Sequence, residues 1–68
     1  MQLSARNQLN GTVQSVKSGA VMAEVTVEVG PGVVTAAITD TSRERLGLAE
    51  GDEVLVIIKA TEVMIATP

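Results

Sequence analysis

The chain contains no cysteine, no histidine and no aromatic residue. Without Cys or His it has no thiolate nucleophile, no imidazole base, no disulfide and no ordinary zinc site. Without Phe, Tyr or Trp it lacks the stacking platforms on which single-stranded nucleic acids are held. Positive charge is also scarce, with five Lys and Arg against eight Asp and Glu, a net charge of −3 and a pI near 4.6. A phosphate-backbone binder needs a clustered excess of cations, so nucleic acid is excluded as a partner. Long hydrophobic runs are missing too. The most apolar stretch, Val21 to Ile38, is interrupted by Glu24, Glu28 and Gly30-Pro31-Gly32, and it cannot span a bilayer. Arg6, Asn7, Gln8, Asn10 and Gln14 leave no apolar signal core near the start, so a cytoplasmic protein with no membrane partner is expected.

What is present is a short, foldable chain. Its 68 residues are 46% hydrophobic and 19% charged, which predicts one ordered domain spanning residues 1–68. The apolar side chains are small: eleven Val, eight Ala, five Leu, four Ile and three Met. A chain of this size hides only about 60% of its extended surface on folding. Small domains in that position rely on disulfides, metals or partners, and here partners are what is left. Association with further copies is therefore expected.

The hydrophobic period is two. From Val21 to Val29 the odd positions are Val, Ala, Val, Val, Val, and the even ones are Met22, Glu24, Thr26 and Glu28, the pattern of a half-buried strand. Gly30-Pro31-Gly32 predicts a turn, and Val33 to Thr39 a returning strand. Upstream, Leu9 to Lys17 reads as a weaker strand in which Gly11 marks a bulge or a close backbone approach. Lys17-Ser18-Gly19-Ala20 is its turn. Downstream, Glu53 to Lys59 is apolar on both faces, as in a strand whose outer surface meets another subunit. Glu62 to Ala66 reads as a last short strand. Thr41 and Glu44 have capping-box spacing, which predicts a helical turn capped by Thr41 and closed by Gly47. The order β-β-β-α-β-β predicts an all-β fold: a small five-stranded barrel of oligonucleotide/oligosaccharide-binding type with one short helix.

Enzymatic candidates are thin. Glu24 and Glu28 point to solvent, while Glu50, Asp52 and Glu53 sit at a turn, where Asp52 reads as a turn former. The cations are more informative. Arg43 and Arg45 on the helix and Lys17 at a strand end read as surface charges. Arg6 lies in a polar run, Ser4-Ala5-Arg6-Asn7-Gln8, that precedes any predicted strand. Lys59 ends the most apolar strand, where a charge is costly unless it is paired or ligand-bound. Either residue is also readable as a plain rim charge. Thr39, Thr41 and Ser42 cluster where a strand runs into the helix, a place suited either to ordinary capping or to an anion. Arg, Lys, hydroxyl and backbone N–H groups together make a donor-only site, which suits a deprotonated tetrahedral oxyanion.

The runs Ser4-Ala5-Arg6-Asn7-Gln8, Gly11-Thr12-Val13, Ala37-Ile38-Thr39, Arg45-Leu46-Gly47-Leu48 and Lys59-Ala60 resemble the molybdate-binding molbindins, the Mop family of TOBE-type domains. The resemblance covers nearly the whole chain. Similar modules form the ligand domains of molybdate-responsive regulators and the ends of molybdate transporter ATPase subunits. It implies a cytoplasmic, non-enzymatic protein that stores or buffers molybdate or tungstate. It also implies a homo-hexamer, a trimer of dimers with exchange of an N-terminal strand, and oxyanions held at subunit interfaces. Matched residue by residue, the implied main site is Ser4 and Arg6 from one subunit with Thr39, Ser42, Lys59 and the Ala60 backbone from a neighbour. A second class of site near the symmetry axis is implied, with Lys17, Ser18, Gly19, Ala20 and Val21 as its candidate turn. The alternative is an oxyanion-responsive regulatory module acting through a protein partner.

Overall fold

The computed structural model describes residues 2–68. Strand β1 (Asn7–Lys17) is followed by β2 (Met22–Glu28), β3 (Val33–Thr39), helix α1 (Asp40–Leu46), β4 (Glu53–Ile58) and a 3₁₀ turn over Ala60–Glu62. The strands form one antiparallel sheet in the order β3-β2-β1-β4. β1 carries the architecture. Its first half, Asn7 to Thr12, pairs with β4, and Thr12 to Lys17 pairs with β2, so one long strand bends the sheet into a half-barrel.

Two local devices permit that bend. The β1–β2 register shifts between Val13 and Ser15, a bulge that increases local twist. Gly11 sits where a Cβ would come 2.5 Å from Val27 Cγ1 and 2.7 Å from the Glu28 carbonyl oxygen. The expected close approach is thus real, and it lies just before the bulge. The Gly30-Pro31-Gly32 turn joins β2 to β3, with Gly30 at φ 92° and the Val29 N–H donating to Gly32 O at 2.9 Å.

The core follows the period of two. Ala23, Val25 and Val27 of β2 are buried together with Val13 of β1. Val16, Val29, Ile38, Leu48, Val54 and Val56 pack around the buried valines. Glu24 and Glu28 face solvent, as the alternation requires.

Three expectations are corrected. The sheet has four strands and not five among the described residues, because Glu62 ends the 3₁₀ turn and residues 63–66, extended at Val63, pair with no strand. An apolar alternating segment has the propensity for a strand, but a strand also needs an edge to bond to. The helix cap is Thr39 and not Thr41: the helix starts at Asp40, and Thr39 Oγ1 accepts from the Ser42 N–H at 3.1 Å. Gly47 closes it as expected, at φ 64°. β1 starts at Asn7, two residues early, because Asn7 and Gln8 pair with Ile58 and Ile57. Within one chain β4 is covered on its inner face alone. Val54, Val56 and Ile58 turn inward and are half-buried, while Leu55 and Ile57 are exposed.

Candidate functional site

The Ser4-Ala5-Arg6 segment is held against the end of β4 by the two amide side chains that follow it. Asn7 Nδ2 donates to the Ile58 carbonyl at 3.1 Å, across the β1–β4 ladder. Gln8 Nε2 reaches back to the Ala5 carbonyl at 2.8 Å and folds the segment over. The result is an open cleft of about 510 Å³ lined by residues 3–6 on one side and by Ile57, Lys59, Ala60 and Thr61 on the other. Ser4, Arg6, Lys59 and Ala60 therefore share one cleft within one chain.

The chemistry of this cleft is one-sided. It holds two cations and two hydroxyls, and no carboxylate lines it. Neither Arg6 nor Lys59 makes an ion pair among the described residues. Lys59 is exposed, which corrects the expectation of a costly charge at the end of a buried strand. It is solvated because the outer face of β4 is open, so its charge is available to a ligand at little desolvation cost. Asn7 and Gln8 have positioning roles that the sequence reading did not assign. The signal was their adjacency to the candidate cation, but only the fold shows which carbonyls their amides reach.

Thr39 and Ser42 do not line this cleft. They lie at the start of α1, after the edge strand β3. Thr39 is used as the helix cap, and its hydroxyl donates to Ser42 Oγ at 2.8 Å. That bond leaves the Ser42 hydroxyl hydrogen free to donate outward. Thr41 is exposed and caps nothing.

The Lys17-Ser18-Gly19-Ala20 turn is exposed throughout. Lys17 stands opposite Glu24 in the β1–β2 register. Asp40 lies beside this turn. Its pKa is lowered chiefly by the Arg43 guanidinium, with a smaller contribution from the Gly19 backbone N–H. Arg43, expected at the surface, is instead half-buried. Its Nε and Nη2 donate to the two Asp40 oxygens at 2.8 and 3.2 Å, and Nη2 also reaches Glu44 at 3.3 Å. The one-turn spacing of residues 40 and 43 stacks the two side chains on the helix face. Asp52 is the turn former expected, with its carboxylate accepting from the Ala49 N–H at 2.9 Å. No group of three or more acidic, Cys or His side chains suited to a metal ion exists among the described residues. Among those residues, no helix is long and apolar enough to cross a membrane.

The TOBE domain family matches residues 3–65. Molybdenum-pterin-binding protein 3 of Clostridium pasteurianum is 52% identical over 66 residues, 96% of this chain and 97% of its own length. A molybdate-binding protein from Sporomusa ovata has a closely similar structure, with a TM-score of 0.93 and 37% identity over 98% of this chain and 100% of its own. The cytoplasmic molybdate-binding protein ModG, solved with molybdate bound, is 46% identical with a TM-score of 0.84. That match spans 88% of this chain and 43% of ModG. The chain therefore belongs to the TOBE-domain family and stands with its molybdenum-pterin-binding (Mop) members, a family of binding proteins and not enzymes.

Proposed function

We propose that this chain binds molybdate or tungstate at interfaces between its own copies, and that it stores or buffers the oxyanion in the cytoplasm. The observation that carries the reading is the cleft that gathers Ser4, Arg6, Lys59 and Ala60 with no lining carboxylate. Its side chains offer two cations and two hydroxyls, and no carboxylate repels an anion, which suits a tetrahedral dianion. Hydrogen bonds to charged groups contribute roughly 1.5–3 kcal/mol each, so four give about 6–12 kcal/mol before ordering costs. A micromolar dissociation constant needs about 8 kcal/mol. Charge and shape do not separate molybdate from sulfate, so cavity size must.

Thr39 and Ser42 enter this reading through a second copy. If the Asn7–Thr12 half of β1 is exchanged, it pairs with β4 of a neighbour in the register it uses in its own chain, as domain swapping preserves contacts. Ser4 and Arg6 of one copy then lie over Lys59 and Ala60 of another, with Thr39 and Ser42 brought in by the assembly. A homo-hexamer built as a trimer of dimers gives several such sites. At the Lys17–Ala20 turn the single cation faces Glu24, and Asp40 lies nearby, so the main oxyanion is assigned to the Arg6–Lys59 cleft.

Isothermal calorimetry with molybdate tests this. Arg6→Ala and Lys59→Ala should each weaken binding roughly tenfold to a hundredfold, the equivalent of one charged hydrogen bond, with circular dichroism unchanged. Unaltered affinity in both variants removes the site assignment.

A further inference from the structure

Beyond Lys59 the chain does not continue as a strand. The Glu62 N–H donates to the Lys59 carbonyl at 2.9 Å and the Val63 N–H to the Ala60 carbonyl at 3.5 Å, which closes a single 3₁₀ turn over Ala60–Glu62. The turn keeps Thr61 at the cleft, where it lines the same side as Lys59. A threonine hydroxyl therefore shares the cleft with both cations, Arg6 and Lys59.

The hydroxyls of the chain are committed differently. Thr39 Oγ1 caps α1 and donates to Ser42 Oγ, and neither residue lines the cleft. Thr61 lines it, and its hydroxyl takes part in no hydrogen bond among the described residues. Ser15, Ser18, Thr35 and Thr41 are exposed as Thr61 is, but none of them lines the cleft. An exposed hydroxyl is ordinarily satisfied by water, so exposure alone marks nothing. What singles out Thr61 is its place beside two cations that have no ionic partner among the described residues.

Recruiting this hydroxyl costs little. A threonine has a short, β-branched side chain with few rotamers, so fixing it loses less conformational entropy than fixing Arg6 or Lys59. The hydroxyl carries one hydrogen that can turn to an acceptor, and an anion oxygen is a stronger acceptor than water. The next residue, Glu62, brings a carboxylate, but Glu62 does not line the cleft. The turn thus offers a neutral donor at the cleft and keeps its negative charge off the wall.

We infer that Thr61 is a further oxyanion-binding residue, its hydroxyl donating to an oxygen of the anion held between Arg6 and Lys59. The inference rests on the oxyanion reading of this cleft. Lys59, Ala60 and Thr61 then act as one binding segment, with a charge, a backbone group and a hydroxyl supplied by three successive residues.

Calorimetry with molybdate on the full chain decides it, comparing wild type, Thr61→Val, Thr61→Ser and Arg6→Ala. Valine keeps the branched shape and removes the hydroxyl, so Thr61→Val should weaken binding about tenfold, the worth of one hydrogen bond to a charged group. Thr61→Ser keeps the hydroxyl and should stay close to wild type. Thr61 is exposed, so the melting temperature without anion should be nearly unchanged in both variants. A loss in Thr61→Val that Thr61→Ser restores supports the donated hydrogen bond. An equal loss in both, or wild-type affinity in Thr61→Val, overturns the inference. If Arg6→Ala weakens binding and Thr61→Val does not, the cleft stands and only the role of Thr61 falls. If no variant differs from wild type, the cleft assignment falls with it.

Discussion

The β1–β2 half of the molecule and the β4–C-terminal half are built to different standards. In the first, Val13, Ala23, Val25 and Val27 are between 1% and 3% exposed, and Gly11 is fitted so closely that it has no room for a Cβ. In the second, Leu55, Ile57, Val63, Met64 and Ile65 are all exposed, and Arg6 and Lys59 have no ionic partners among the described residues. Both halves are assembled from the same small aliphatic side chains. The difference shows where the chain completes its own packing and where it leaves apolar side chains and cations open to solvent. Under the proposed function, stability is concentrated on one side of the half-barrel and recognition on the other.

Substitutions on the two sides should therefore separate. The largest effect is expected at the closely packed side. Gly11→Val places a branched side chain against Val27 and a backbone carbonyl, and it should destabilise the fold by about 3 kcal/mol, at the upper end for overpacking. Urea unfolding measures this. A loss near zero would mean that β1 and β2 separate easily at that point, and the contrast between the halves would fail. Thr39→Ala should cost about 1 kcal/mol through the lost helix cap, while Thr39→Ser keeps it.

On the open side the effects should fall on binding. Gln8→Ala removes the amide that folds the Ser4–Arg6 segment back through the Ala5 carbonyl. Molybdate affinity should drop a few-fold, less than in Arg6→Ala, with the melting temperature nearly unchanged. A melting shift without an affinity change would show that Gln8 serves the fold and not the cleft.

The smallest effect concerns Asp40. Its folded pKa lies below the ordinary 3.8 because Arg43 holds the carboxylate ionised. A lowered folded pKa contributes stability above the unfolded value, and that contribution is lost as pH falls from about 3.8 through the folded value. Wild-type protein should therefore lose stability across that acid window slightly more steeply than Asp40→Asn, whose neutral side chain has no proton to gain. Parallel acid-unfolding curves would show that the pair contributes nothing.

Much of this contrast was legible in the residues. The alternation in β2 identified Ala23, Val25 and Val27 as inward, and a glycine inside a strand marked Gly11 as a close approach. What remained hidden depended on neighbours distant in sequence. Glu62–Ala66 has the composition of a strand, yet whether it pairs depends on an edge that its own sheet does not bring to it. Two hydroxyls near a strand end both suit a cap. Which one acts depends on where the β2–β3 ladder stops, and that ladder runs to the Met22–Thr39 pair. The Ser4–Arg6 run and Lys59 are more than fifty residues apart, and only the β1–β4 register brings them to one cleft.

Native mass spectrometry of the wild-type protein with molybdate, tungstate and sulfate tests the central claim most directly, since it counts subunits and bound anions together. The account predicts a homo-hexamer carrying molybdate or tungstate adducts, with sulfate retained weakly or not at all. A monomer, or an oligomer that takes up none of the three anions, would contradict it.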